Sequence, residues 1–204
     1  MSETSPPDKW WHHVPNALTL SRFVMAGALF ALIEHSRWWA CLGTFLLATI
    51  TDWLDGYLAR RWDCGTKLGR ILDPLADKVL VCGAYVHLLR VGDDWLYPWM
   101  ATLILSRELI ITTLRSYVEQ QGIAFGADLF GKLKMVLQSG ALGIIFLSLA
   151  IRSPAWDFVR LVGIYLMLFS TLLSGILYLW KASRLLRSRK STSAPGVSSR
   201  DEQK

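Results

Sequence analysis

Residues Thr51 to Lys78 constrain this chain more than any other stretch, because they set four aspartates at the ends of two otherwise apolar segments. Asp52 and Asp55 close the first segment, and Asp73 and Asp77 open the second. A carboxylate turned unpaired toward hydrocarbon costs several kcal/mol, so these side chains must meet water, cations or one another in a site. On a helix, a spacing of three sets two side chains about 60° apart and a spacing of four about 40° apart. Each pair therefore shares a face. The link between the segments, roughly Arg61 to Gly69, is short enough to make the two helices antiparallel neighbours, and the four carboxylates then converge.

Convergence without compensation would push some of these carboxyl pKa values up. Cations resolve the conflict, and an all-oxygen set with no set of His or Cys ligands nearby favours Mg²⁺ or Mn²⁺ over Zn²⁺. Two divalent ions would balance the four charges. Gly56 and Ala59 lie on or beside the face of the first pair, and Gly69 precedes Asp73 by one turn, so a bulky ligand can approach the backbone there. Arg60, one turn beyond Gly56, offers a planar fork for phosphate oxygens. Together these features point to a phosphate-bearing substrate.

The whole pattern, Asp52-x2-Asp55-Gly56-x2-Ala59-Arg60-x8-Gly69-x3-Asp73-x3-Asp77, resembles the signature of the CDP-alcohol phosphotransferases, with every fixed position present. The resemblance implies transfer of a substituted phosphate from a CDP-linked lipid to an alcohol, with release of CMP. It implies that Asp52, Asp55 and Asp73 are metal ligands, and that Asp77 is both a ligand and the general base. Gly56, Arg60 and Thr66 match family positions near the CDP group, and Ala59 and Gly69 belong to the same signature. Pro15 to Arg22 is similar to the family's amino-terminal element, which implies that Asn16 and Thr19 lie near the CDP-lipid headgroup. Read without it, Asn16 and Thr19 are helix-start residues and Arg22 snorkels to a membrane interface.

A membrane setting follows from the composition. The 204 residues are 52% hydrophobic with ten Trp and have a mean hydropathy of +0.33, more than a soluble domain usually carries. The fold class expected is all-α, with six transmembrane helices near 18–33, 38–59, 69–89, 95–120, 131–151 and 156–180. A short amino-terminal interfacial segment, residues 1–17, contains Trp10 and Trp11, and a basic, disordered tail, residues 181–204, follows the membrane domain. Most basic residues outside the turns at Arg37, Arg90 and Arg152 fall on the side of the acids, so the positive-inside rule turns the site to the cytoplasm, and the resemblance implies that the membrane is a bacterial inner membrane. The net charge of +6 reads as topology and attraction to anionic lipid, and no nucleic-acid module accompanies it. Cys41, Cys64 and Cys82 have neither disulfide nor zinc spacing, and the four His form no ligand pattern.

The acceptor is written elsewhere in the chain. Arg107, Arg115, Lys132 and Lys134 gather at the cytosolic ends of the fourth and fifth segments, a cationic pocket suited to a phosphorylated alcohol. For Arg107 and Glu108 an internal ion pair and a substrate contact are equally open. The runs around these residues resemble the bacterial family members that use CDP-diacylglycerol and glycerol 3-phosphate, from about Pro15 to Trp180, with Met135 as a departure. That resemblance implies those two substrates and a homodimer. Inositol phosphate, serine or phosphatidylglycerol as acceptor stays open, as does the more remote reading of a cation transporter.

Overall fold

The computed structural model describes residues 14–62, 67–91, 94–120 and 129–192, with the backbone alone over 14–19, 53–62, 67–74, 119, 129–132 and 185–192. These residues form six α-helices and no strand: α1 (Val14–Glu34), α2 (Trp38–Trp62), α3 (Lys67–Leu88), α4 (Pro98–Gln120), α5 (Leu129–Ile151) and α6 (Pro154–Thr192). The all-α expectation holds. Pro15, Pro98 and Pro154 sit in first turns, where the missing N–H has no intrahelical acceptor to lose.

Two of the helix ends are built alike. At the end of α1, Ser36 takes φ 54°, its N–H donates to Ile33 O and that of Arg37 to Leu32 O, both at 3.0 Å. This is a Schellman cap with serine where glycine is favoured. At the end of α5, Arg152 takes φ 53° and donates its N–H to Ser148 O at 2.9 Å, the simpler αL cap.

The sixth helix corrects an expectation. Instead of ending near Trp180 it runs on to Thr192, because the basic run from Lys181 to Lys190 consists largely of good helix formers and meets no Pro before Pro195. Ala182 on this extension is buried beside Tyr178, Val118 and Ile111. The interfacial reading of Trp10 and Trp11 lies outside the described residues.

The helices close a ring. α1 packs between α2 and α3, α5 between α2 and α6, and α4 between α6 and α3, with α3 also touching α5 across the centre. Leu29, Ile33, Tyr85, Leu88, Leu142, Ile145, Phe146 and Ile164 fill the middle and are fully buried. The Tyr85 hydroxyl donates to Gln138 O at 3.0 Å, so its polar end is satisfied inside the core.

One cavity is lined by Ser36, Val91 and Arg152 together, so the α1–α2, α3–α4 and α5–α6 connections gather at one end of the ring. Arg22, Asp52 and Asp77 lie in the other halves of their helices. Among the described residues, two helices, over Leu133–Ile151 and Pro154–Arg184, are long and apolar enough to cross a membrane. Large apolar side chains also face outward on every helix, among them Val24, Leu47, Val86, Ile110, Val136 and Phe169.

Candidate active site

The first half of the site is organised by a residue of α1. Arg22 Nη1 lies 2.7 Å from Asp52 Oδ1 of α2 and 3.0 Å from Asp77 Oδ1 of α3. The Arg22 side chain is 3% exposed against 46% for Asp52 and 37% for Asp77. A buried cation thus holds the first and last acids of the motif together from beneath, while the carboxylates look outward. The expectation that Arg22 snorkels to an interface is overturned: two carboxylates fix its guanidinium inside the bundle, where an unpaired charge would not be tolerated.

Asp55 and Asp73 occupy the helices that carry Asp52 and Asp77, on backbone whose side chains are not described. Asn16 and Thr19 on α1, Gly56, Ala59 and Arg60 on α2, Gly69 on α3 and Lys132 on α5 are likewise described by their backbone alone, and Thr66 lies outside the described residues. Among the described residues no three metal-ligating side chains gather. Asp52 and Asp77 nevertheless pass the chemical test for a cation site. Both are hard oxygen donors, they come from different helices, and they already close on one positive charge.

The second half lies where α4, α5 and α6 meet. Arg107 Nη1 pairs with Glu108 Oε1 at 3.0 Å, and Lys134 Nζ pairs with the same Glu108 oxygen. The three side chains are 11%, 13% and 4% exposed in the order Arg107, Glu108, Lys134. Arg107 Nη2 also donates to Ser174 Oγ at 2.9 Å, and its Cγ runs 3.6 Å from where a Cβ on Gly175 would stand. Tyr178 then lies 5.9 Å from the guanidinium carbons of both Arg107 and Arg115, with Arg115 Nη2 donating to its hydroxyl at 3.5 Å. A buried Nε of Arg107 and another of Arg115 have no acceptor. Three cations set against one carboxylate, with donors to spare, make a pocket that suits an anion.

Three of the four expected cationic residues thus come together, and of the two readings for Arg107 and Glu108 the internal ion pair is present. The sequence reading missed Ser174 and Tyr178, which are polar groups on the inward face of an otherwise apolar α6, and Thr112 of α4. Lys78 Nζ, next in sequence to Asp77, donates to Thr112 Oγ1, and Thr112 Oγ1 donates in turn to Glu108 O at 2.7 Å. This link joins the acidic half to the cationic half.

A family model described as CDP-alcohol phosphatidyltransferase matches residues 12–178. The chain belongs to this family. Among curated phosphatidyltransferases, the CDP-diacylglycerol--glycerol-3-phosphate 3-phosphatidyltransferase of Cereibacter sphaeroides is 38% identical over 141 residues, 66% of this chain and 63% of the relative. The enzyme of the same name from Shigella flexneri serotype 5b is 33% identical over 180 residues, 85% of this chain and 93% of the relative. A cardiolipin synthase (CMP-forming) of Oryza sativa subsp. japonica is 34% identical over 200 residues, 89% of this chain and 60% of the relative. The chain thus spans about three fifths of the length of the Cereibacter and rice relatives and nearly all of the Shigella one.

Proposed function

We propose that this phosphatidyltransferase passes the phosphatidyl group of CDP-diacylglycerol to glycerol 3-phosphate, giving phosphatidylglycerol phosphate and CMP. The observation that carries the reading is the junction of two unlike half-sites: Asp52 and Asp77 held by Arg22, and a buried cationic pocket around Arg107 and Lys134, linked through Lys78 and Thr112. A nucleotide diphosphate with its cations suits the first and a phosphorylated alcohol the second. The relatives from Cereibacter and Shigella, named for that reaction, support the choice.

Asp52, Asp55, Asp73 and Asp77 would hold Mg²⁺ or Mn²⁺, two ions balancing four carboxylates. Bound there, the metal would neutralise the diphosphate and the departing CMP. The residues of the chain do the rest. Asp77 takes the proton from the acceptor hydroxyl as its oxygen bonds to phosphorus and the bond to the CMP oxygen breaks. Arg107, Arg115, Lys132 and Lys134 hold the acceptor phosphate, with Glu108 fixing the directions of Arg107 and Lys134. Asn16, Thr19, Gly56, Ala59, Arg60, Thr66 and Gly69 are assigned to the CDP-lipid.

The same reading sets six helices across a bacterial inner membrane, with the acids toward the cytoplasm, in a homodimer. Outward apolar side chains on all six helices support the membrane placement.

Phosphatidylglycerol is the second acceptor to consider, favoured by the rice relative named as a cardiolipin synthase. The deciding experiment is CMP release from CDP-diacylglycerol by the purified chain, with glycerol 3-phosphate, phosphatidylglycerol or inositol 1-phosphate, with and without Mg²⁺. Release with glycerol 3-phosphate and metal is expected. Release with phosphatidylglycerol alone would transfer the assignment to the second reading, and no release with any alcohol from folded protein would end both.

A further inference from the structure

The end of the bundle away from the acids has a polar centre of its own. A cavity of about 320 Å³ opens among the three helix connections there, with Ser36, Trp38, Ser148, Arg152, Asp157 and Arg160 in its wall. Along α5, Ser148 stands fourteen residues from Lys134, about 21 Å of helix. The two sites are therefore separate.

Arg160 is 8% exposed. Its Nη1 donates to Ser148 Oγ at 2.8 Å and pairs with Asp157 Oδ1 at 2.9 Å, and its guanidinium carbon lies 4.5 Å from the centre of the Trp95 ring. Its buried Nε has no acceptor. Asp157 thus offsets Arg160, while Arg152 at the rim is exposed and has no ion pair or side-chain hydrogen bond among the described residues. The cavity carries one positive charge in excess. Backbone geometry singles out the same place. Ser36 and Arg152, the two non-glycine residues with positive φ among the described residues, both line it. Each caps its helix with a side chain where glycine would relieve about 1–2 kcal/mol of steric cost.

The surroundings identify the class of ligand. Trp39, Tyr97 and Trp99 are exposed around this end, an aromatic belt of the kind that marks the headgroup level of a bilayer. An open cavity at that level, cationic, with the exposed Ser36 hydroxyl and Arg152 at its wall, meets phosphodiesters of lipids before any other anion. We propose that it binds the headgroup of an anionic glycerophospholipid in the leaflet opposite the acids, with Arg152 as the main charge contact. The proposal rests on the membrane placement; because phosphatidylglycerol is also the second candidate acceptor, the Arg152→Gly variant, remote from the acids, and not lipid preference alone, assigns the binding to this cavity.

The test uses the full chain in a neutral detergent and measures binding of short-chain phosphatidylglycerol, with phosphatidylcholine of the same chain length and inorganic phosphate as separate arms. Wild type is expected to prefer phosphatidylglycerol to both. In Arg152→Gly the dissociation constant should rise about fivefold, the usual worth of one basic residue at an anionic surface. Lipid-free thermal stability should stay level or rise, because glycine suits φ 53°. Arg152→Lys should stay within about twofold of wild type. The CMP-release rate of Arg152→Gly in mixed micelles should be unchanged, which separates this site from the reaction. Equal binding of phosphatidylcholine, equal binding of inorganic phosphate, or an Arg152→Gly affinity matching wild type would each overturn the proposal.

Discussion

Arg22 of α1 and Asp77 of α3, fifty-five residues apart in sequence, meet at 3.0 Å. The contact gives the acidic motif a permanent counter-charge inside the bundle, since Arg22 also reaches Asp52 at 2.7 Å. Arg22→Ala leaves those two carboxylates facing each other without it. We expect a loss of about 1–3 kcal/mol of stability, below the figure for a fully buried pair because the acids are half-exposed. A divalent ion can replace the missing charge, so thermal unfolding of Arg22→Ala should respond more strongly to added Mg²⁺ than that of wild type. Equal metal responses would remove Arg22 from any account of the cation site.

Asp77→Asn tests the base. The amide keeps the shape of the side chain and an oxygen that can accept from Arg22, while it removes the proton acceptor. CMP release should fall about 10²- to 10⁴-fold, with a melting temperature near that of wild type. A rate within tenfold of wild type would move the base elsewhere.

Helical spacing sets each pair of acids on one face of its helix, and Asp52 and Asp77 do meet on one guanidinium, but not because a short link packs their helices together: among the described residues α1 stands between α2 and α3. Arg22 was not readable in the same way. Its position near the start of an apolar helix fits snorkelling equally well, and only the packing of α1 against both α2 and α3 turns it inward. The cationic cluster was visible as composition on α4 and α5. Its partners on α6 were not, since Ser174 and Tyr178 are ordinary residues for a membrane helix until the ring closes and faces them toward Arg107. The length of α6 is hidden by its charge: a basic run after an apolar span resembles a solvated tail, whereas Arg, Lys and Leu all favour helix and continue it to Thr192.

Glu108 is the counter-charge of Arg107 and Lys134 in the proposed acceptor pocket. Glu108→Gln leaves Lys134 and Arg107 buried beside each other without it, and should cost roughly 3–5 kcal/mol of stability, as for other broken buried pairs. Lys134→Met is different, since Glu108 keeps Arg107 and the methionine fills a similar volume. Its stability should change little while the KM for glycerol 3-phosphate rises at least tenfold, with the KM for CDP-diacylglycerol nearly unchanged. Steady-state kinetics varying each substrate in turn distinguishes the two. Parallel rises in both KM values would show that Lys134 serves the fold and not the acceptor.

Gly83→Ala probes the contact between α3 and α1 that holds Arg22 beside Asp77. On propensity alone the change favours a helix, by about 1 kcal/mol. Here a Cβ would stand 2.8 Å from Phe30 Cε1 and closer still to Cζ. The ring cannot swing away freely, because it stacks on His87 at 4.6 Å and 13°, and His87 Nδ1 lies 3.4 Å from Glu34 Oε1. Overpacking should win, with a net loss of about 1–3 kcal/mol, or roughly 2–4 °C in melting temperature per kcal/mol for a chain of this size. Phe30→Leu, which shortens the ring to a branched chain, should recover part of the loss in the double variant although it costs stability alone, a coupling expected only of residues in contact. Additive losses in thermal unfolding would mean that α1 and α3 do not approach this closely at Gly83.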